Sequence, residues 1–575
     1  MDASTAWPIR KLLDEYGTGS ILLPEMQRSY VWRKTQARDL LDSIYKGYPS
    51  GSILLWEIDE TSYETRDAAI KIDEKSKQQV RYLLLDGQQR LTSLASMING
   101  IPVEVKVGHR TKAEHIDVYF NLNHPDSTSS FEENIEDIDD DDDLIDYEEK
   151  DIVDPEKLVF HQKSKKIENK KNWIPVTELF HSTVSEAVRK INKDDENYDK
   201  FLDRISDLHK VKDSYEYPIQ IIPKTKNYME VTEIFVRVNS SGARLRASDL
   251  ALAQITSRWP GSLKNEFLPF RKACDDVNFV VDEGDMIKFL IAISVGKNKF
   301  ELINKIPTQK LKENWPKTQK AIQYSLNFLK QNAYIETKEF LAAKFLLIPI
   351  GCFAKKVDYS LTDKMQKNLL RWFYAATMWG RYSRGATETA LDEDLNAIYK
   401  NDDSIEQMIK NVLKASGRLE VKESDLQGVN VRNPFFVMSY VSAKTNHAKD
   451  WKTGLEISVQ SFGKAFKNEY DHIFPQAKLK PFLEKKYDKS KTKSMVNDIG
   501  NICFLQKVPN IKKSDKLPEE YLPGVVENWG EEALSAQNIT LDKSLWSLEM
   551  YEEFLKDRRQ KIADGINDLM NSLGQ

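Results

Sequence analysis

A run of twelve carboxylates between Glu132 and Glu149, unrelieved by any lysine or arginine, sets the first limit on how this chain can fold. Uncompensated charges at that density cannot share a core, because a buried charge is costly unless it is paired. Packing must proceed on either side of them. The wider stretch 125–170 is acidic and then lysine-rich, with few aromatics. Such a composition buries too little apolar surface to offset the entropy of ordering, so a loop or disordered insert is expected there.

The 575 residues exceed what one hydrophobic core can organise and suit about three to four domains. With 40% hydrophobic and 30% charged residues, sizeable cores can form beneath a well-solvated surface. The longest near-apolar stretch, Phe345 to Ala354, contains Pro349 and falls short of the roughly 18 residues that a membrane span needs. The first residues show no basic region followed by an apolar one. No membrane partner and a cytoplasmic location are therefore expected. Cys274, Cys352 and Cys503 are odd in number and widely separated, which predicts ordinary reduced thiols rather than a disulfide framework or a four-cysteine zinc site.

Periodicity divides the chain further. Leu40, Leu41 and Ile44 lie at helical spacing within 34–45, whereas 52–56 and 81–85 read as short buried strands. Phe235 to Asn239 has a strand-like pattern, and Ser240, Ser241 and Gly242 supply a turn before the next helix. From 249 to 415 apolar residues recur every three or four positions, which predicts a helical middle domain. The polar stretch from Ser416 to Asn433 is the best linker candidate. The expected fold is α+β and multidomain: an α/β domain over 1–248 carrying the 125–170 insert, a helical domain over 249–415, and a mostly helical domain over 416–575.

Net charge is −5 and the pI is near 6.1, values unlike those of a protein that coats nucleic acid without specificity. Residues 461–516 depart from that average, with 13 lysines against six acids. Within this basic block Glu469-Tyr-Asp-His-Ile-Phe-Pro475 sets an acid directly before a histidine, followed by Asn501 and then Asn510. Metal-assisted phosphodiester cleavage needs a base for water, oxygen ligands for a hard cation, and a sink for the charge on the leaving oxygen. Asp471 and Asn510 offer oxygen ligands suited to Mg²⁺ or another divalent cation. His472 can accept a proton at neutral pH. In a regular strand the side chains of Asp471 and His472 point to opposite faces, so serving one centre requires a distorted strand.

A second constellation lies near the N-terminus. Arg81 to Leu94 reads as a buried strand, a turn at Gly87, and a helix starting near Gln88, a junction whose free N–H groups attract phosphate. Gln88, Gln89 and Arg90 open that helix, and Arg90 could grip a phosphate in a bidentate way. Asp86 repels a bare phosphate, which suits it to holding a metal that bridges phosphates or to orienting a water. Gln27 and Arg28 in Pro-Glu-Met-Gln-Arg-Ser-Tyr-Val-Trp32, together with Arg237 and Asn239 in Phe-Val-Arg-Val-Asn239, add polar groups of the same kind.

The C-terminal residues resemble the HNH, or ββα-metal, nuclease finger, in which Asp-His-Ile-x-Pro precedes two asparagines. The resemblance makes His472 the general base, Asp471 and Asn510 metal ligands, and Asn501 the brace of the catalytic loop. Together, Pro-x-x-Gln-Arg-x-Tyr-x-Trp, Asp-Gly-Gln-Gln-Arg and Phe-x-Arg-x-Asn resemble the N-terminal domain of the GmrSD-type modification-dependent restriction endonucleases, whose fold is similar to ParB and sulfiredoxin. That resemblance implies a nucleoside triphosphate bound at Gln27, Arg28, Asp86, Gly87, Gln88, Gln89, Arg90, Arg237 and Asn239, with Asp86 and Arg90 acting in its hydrolysis. It implies a type IV restriction enzyme directed at phage or otherwise modified DNA, with nucleotide hydrolysis regulating cleavage or nicking. A homo-oligomer is compatible with it. An SspE-like subgroup responds instead to phosphorothioate DNA. Two alternatives remain at this stage: a nucleotide-driven DNA-binding module with an inactive finger, and an RNA-cleaving toxin.

Overall fold

The computed structural model describes residues 5–24, 30, 32–58, 80–107, 110–125, 155–164, 166–168, 170–189, 196–240, 247–277, 279–337, 340–383, 385–451, 454–457, 468–506 and 516–574. The chain divides into two compact units, 1–275 and 276–575. The first is mixed α and β; the second is largely helical.

In the first unit the elements run β1 (Thr5–Pro8), α1 (Ile9–Gly17), β2 (Ile21–Leu22), α2 (Lys34–Tyr45), β3 (Ile53–Glu57), β4 (Tyr82–Asp86), α3 (Gln88–Asn99), β5 (Val103–Val107), β6 (Arg110–Glu114) and β7 (Val118–Asn121). They continue through β8 (Phe160–Gln162), β9 (Trp173–Pro175), α4 (Val176–His181), α5 (Val184–Val188), α6 (Tyr198–Ser214), β10 (Glu216–Ile222), α7 (Tyr228–Ser240), α8 (Ala247–Arg258) and α9 (Leu268–Asp275). The main sheet has the order β1-β10-β3-β4-β2. In it β10 pairs parallel to β3, whereas β3 pairs antiparallel to β4.

Both faces of this sheet are covered, which is why Ile-Leu-Leu-Trp56 and Leu-Leu-Leu85 are continuously apolar rather than alternating. Ile53, Leu55 and Leu84 face a core shared with Leu41, Leu91, Leu94 and Ile205. Leu54, Trp56, Leu83 and Leu85 face the other way, onto Val231 and Phe235 of α7 and Ala253 of α8.

Two local expectations are corrected in this unit. Residues 235–239 are not a strand but the last turns of α7. Asn227 caps that helix, its side chain accepting the Glu230 amide at 3.1 Å while Glu230 accepts the Asn227 amide at 3.0 Å. Buried Val231 and Phe235 then lie four residues apart on one face. The five-residue window caught a run of β-branched residues and missed the helical period that begins upstream. Within the expected loop 125–170, Phe160–Gln162 instead form β8 of a three-stranded sheet of order β8-β7-β9. Val159 and Phe160, both buried, provide the apolar contacts that the acidic part of the segment lacks.

The second unit contains α10 (Glu283–Val295), α11 (Thr308–Asn332), α12 (Leu347–Lys356), α13 (Asp363–Met378), α14 (Thr387–Lys400), α15 (Ser404–Ser416) and α16 (Pro434–Thr445). There follow β11 (Asn468–His472), α17 (Gln476–Leu483), α18 (Lys489–Val496), β12 (Ile502–Gln506), α19 (Pro518–Trp529), α20 (Glu532–Ser535) and α21 (Tyr551–Ser572). The stretch 417–433 does not hang between domains. Val421 exchanges hydrogen bonds with the Asn567 side chain of α21 at 2.9 and 2.8 Å, and Ile499 donates to the Val429 carbonyl at 2.7 Å. Buried Val421, Leu426 and Val429 give this polar segment enough apolar anchorage to pack.

Among the described residues no helix is long and apolar enough to cross a membrane. The apolar stretch that includes Leu346 to Ala354 is instead buried core. Cys274, Cys352 and Cys503 are free and buried, and burial pushes the Cys274 and Cys352 thiols up to about 12.

Candidate functional site

In the second unit β11 and β12 form an antiparallel pair in which Asp471 faces Cys503 and His472 faces Ile502. The chain leaves β11 through Ile473, whose amide donates to the Asn501 carbonyl at 2.7 Å and whose carbonyl accepts the Tyr521 hydroxyl at 3.1 Å. Ile473 and Phe474 are sealed into the core, with the Phe474 ring edge-on to both Tyr551 and Phe554 at 5.0 Å. This anchoring fixes where the strand ends, with Asp471 and His472 left half-buried at its tip.

The Asp471 carboxylate accepts the His472 backbone amide at 2.8 Å. The bond draws one carboxylate oxygen along the chain to the His472 backbone. Polar neighbours of the His472 ring include Asn497 Oδ1 at 3.2 Å from Nε2, and Gln476 Nε2 at 3.1 Å from Nε2 and 3.4 Å from Nδ1. Neither Gln476 nor Asn497 was among the sequence-derived candidates. A signal for Gln476 was present, since it stands four residues beyond His472 at the start of a helix. Nothing in the sequence marked Asn497 apart from the other polar residues near it.

Asn501 is wholly buried and its side chain bonds to backbone. Its Oδ1 accepts the Phe474 amide at 2.8 Å, and its Nδ2 donates to the carbonyls of Val496 at 2.9 Å and Phe474 at 3.3 Å. That geometry is a brace. Behind it, buried Arg558 donates to the Gly500 carbonyl at 2.9 Å. Asp498 accepts from Arg559 at 2.9 Å, and burial holds its carboxyl above the usual carboxylate range while Arg559 pulls it down.

Asn510, the other expected metal ligand, lies outside the described residues. Among the described residues no group of three or more His, Cys, Asp and Glu could hold a metal. A hard cation that keeps several of its waters needs only one or two carboxylates, and the half-buried Asp471 oxygens fit that requirement.

In the first unit β4 ends at Asp86, and Gly87, with φ of 98°, turns the chain into α3. A side chain at Gly87 would also strike Ile53, its Cβ lying 2.3 Å from Cδ1. Gln88 is buried in the first turn of α3. Gln89 accepts the Trp32 amide at 3.2 Å, and Tyr30 shares a 2.8 Å hydrogen bond with Ser93. The structure thus brings the ends of the Gln-Arg-x-Tyr-x-Trp segment onto the first turns of α3, although Gln27 and Arg28 themselves lie outside the described residues.

Arg90 is engaged within the protein. It donates to the Ser50 carbonyl at 2.9 Å, the Ser52 carbonyl at 2.8 Å and Asp86 Oδ2 at 3.0 Å. Between those carbonyls Gly51 adopts φ of 94°, and a Cβ there would overlap the Arg90 guanidinium. Arg237 is exposed on α7 and paired with Glu233 one turn earlier. The side chain of Asn239 lies outside the described residues.

Residues 9–256 match the N-terminal domain of the GmrSD restriction endonucleases, and residues 417–563 match the C-terminal domain. Both halves of a restriction-endonuclease architecture are therefore present in one chain. The chain belongs to the GmrSD restriction endonuclease family. It is also 24% identical over 561 residues to the uncharacterized protein MJ0686 of Methanocaldococcus jannaschii, an alignment covering 90% of this chain and 86% of the relative.

Proposed function

We propose that this protein is an NTP-regulated, metal-dependent DNA endonuclease or nickase that acts in defence against phage or modified foreign DNA. The observation that carries the reading is the Asp471–His472 pair at the tip of β11, in which the Asp471 carboxylate accepts the His472 amide and the chain just beyond is braced by buried Asn501. In this reading β11, β12 and the following helix are a ββα-metal finger. His472 takes the proton from the attacking water. Asp471 and Asn510 hold a divalent cation, which when bound would offset charge on the phosphate and the leaving oxygen. Asn501 is a positioning residue, since its amide is spent on backbone.

The first unit is proposed as a ParB/sulfiredoxin-like nucleotide domain. Gly87 and the first turn of α3 supply N–H groups for phosphates. The Arg90 guanidinium beside Asp86 lessens the repulsion that this carboxylate would exert on them. Gln27, Arg28, Gln88, Gln89, Arg237 and Asn239 complete the proposed nucleotide contacts. The test is cleavage of modified phage DNA, unmodified DNA and RNA by the full chain with Mg²⁺, with and without each nucleoside triphosphate. Cutting of DNA that depends on Mg²⁺ and responds to nucleotide is the expected result. Cutting of RNA alone, or DNA binding with no cutting, would overturn it.

A further inference from the structure

Between Gln476 and Asn497 the chain carries seven lysines against two acids, Glu484 and Asp488. These residues form two short helices that pack together, with Leu479, Leu483, Met495 and Val496 turned into the core. Lys478 and Lys480 on α17, and Lys489, Lys491 and Lys493 on α18, are all exposed. Among the described residues Lys486 reaches a carboxylate, Glu552 at 3.8 Å, whereas these five have none within 4 Å.

The stability of α18 does not account for this pattern. Lys489 and Lys491 occupy its first turn, where cations oppose the helix dipole, and Lys489 and Lys493 are a like-charged pair one turn apart. Asp488 caps the helix by accepting the Lys491 amide at 2.8 Å, offsetting part of that cost. Both ends of the helical pair also meet the His472 ring. Gln476, the first residue of α17, and Asn497, directly after α18, both place polar side-chain atoms against it.

Resting on the nuclease reading above, we infer that the α17–α18 pair is the DNA-backbone-binding arm of the nuclease domain. Its lysines hold duplex phosphates, and its two ends tie that grip to the placement of His472. A surface with such an excess of lysines, five of them with no carboxylate within 4 Å, is complementary to a polyanion, and each phosphate contact contributes about 0.9 to the slope of log K against log salt for B-DNA.

The experiment measures duplex DNA binding by the full chain across a salt series, beside binding of an RNA of equal length. The variants are Lys489→Gln/Lys491→Gln/Lys493→Gln and the corresponding triple arginine substitution, with circular dichroism confirming the fold. The glutamine variant should bind DNA more weakly, with a slope shallower by up to about 2.7 for three lost contacts. The arginine variant should keep the wild-type slope. Wild-type DNA binding that is unchanged in a folded glutamine variant, or a loss confined to RNA, overturns the inference and leaves the nuclease reading standing. If the unaltered chain shows no salt-dependent DNA binding, both fall together.

Discussion

Asn501 and Phe474 exchange two hydrogen bonds, the Phe474 amide donating to Asn501 Oδ1 at 2.8 Å and Asn501 Nδ2 donating back to the Phe474 carbonyl at 3.3 Å. A third bond ties the same amide to Val496. Asn501→Ala would strand these backbone groups in a dry core, at a cost on the order of 2–4 kcal/mol. Denaturant unfolding should show that loss. Because Asn501 acts through the loop, DNA cleavage per folded molecule should fall as well. Wild-type stability would remove the brace assignment.

His472 is half-buried at the tip of a strand whose anchoring comes from Ile473 and Phe474. His472→Ala should therefore leave the fold intact while cleavage falls on the order of 10²- to 10⁴-fold. Thermal melting checks the first effect and supercoiled-plasmid cleavage the second. A folded variant that cuts at the wild-type rate contradicts the general-base role.

Chelation should stop cutting, and Asp471→Ala and Asn510→Ala should each raise the Mg²⁺ concentration needed for it, because hard-cation affinity depends on the number and charge of oxygen ligands. A metal titration of the cleavage rate measures this. Persistent cutting in EDTA would exclude the metal mechanism.

Nucleotide turnover should separate from DNA cutting. Asp86→Ala should lose hydrolysis and the regulation of cleavage, whereas His472→Ala should hydrolyse nucleotide as the wild type does. Arg90→Ala has a further consequence, since it releases the Ser50 and Ser52 carbonyls and Asp86 together. It should lower the melting temperature more than Asp86→Ala does. Turnover that vanishes with His472 and survives in Asp86→Ala would refute the two-site reading.

The helical part of the second unit has its own weak point. Asp394 is fully buried and accepts Arg381 Nε at 2.5 Å and Asn411 Nδ2 at 2.8 Å, with the Tyr382 hydroxyl also donating to it. Asp394→Ala would leave the buried Arg381 guanidinium with the half-exposed Glu393, 3.0 Å from Nη2, as its remaining carboxylate, a loss of up to about 3–5 kcal/mol. Chemical denaturation of the variant measures it. A shift under 1 kcal/mol would mean that water or another acid replaces the carboxylate.

Legibility in the sequence followed the range of the interactions involved. The helix at 34–45, the strands ending at Glu57 and Asp86, and the glycine turn at 87 are set by neighbours in sequence, so periodicity and one special residue sufficed. The α7 helix was obscured because its β-branched C-terminal half, seen without the Asn227–Glu230 cap, has a strand's composition. Segment 417–433 looked like a linker because its partners, Asn567 and Ile499, lie far along the chain. The same distance hid Asn497, which meets His472 only after two helices have folded between them. Arg90 was legible as a charged residue opening α3, but its attachment to Ser50 and Ser52 depends on how β3 and β4 align.

The position of β10 between β1 and β3 bears on how the protein is made. Thr5 pairs with Ile219, so the strand that joins the first element to the rest of the sheet emerges from the ribosome more than 200 residues later. At typical elongation rates that interval is about 10–40 s. Once β3 has been made, its edge at Leu55 and Trp56 lacks β10 for the rest of that interval, and an unpaired edge is the kind of surface on which nascent chains associate. The twelve carboxylates of 132–149 are synthesised inside this window. Their mutual repulsion between neighbouring chains on one messenger opposes premature pairing until β10 arrives.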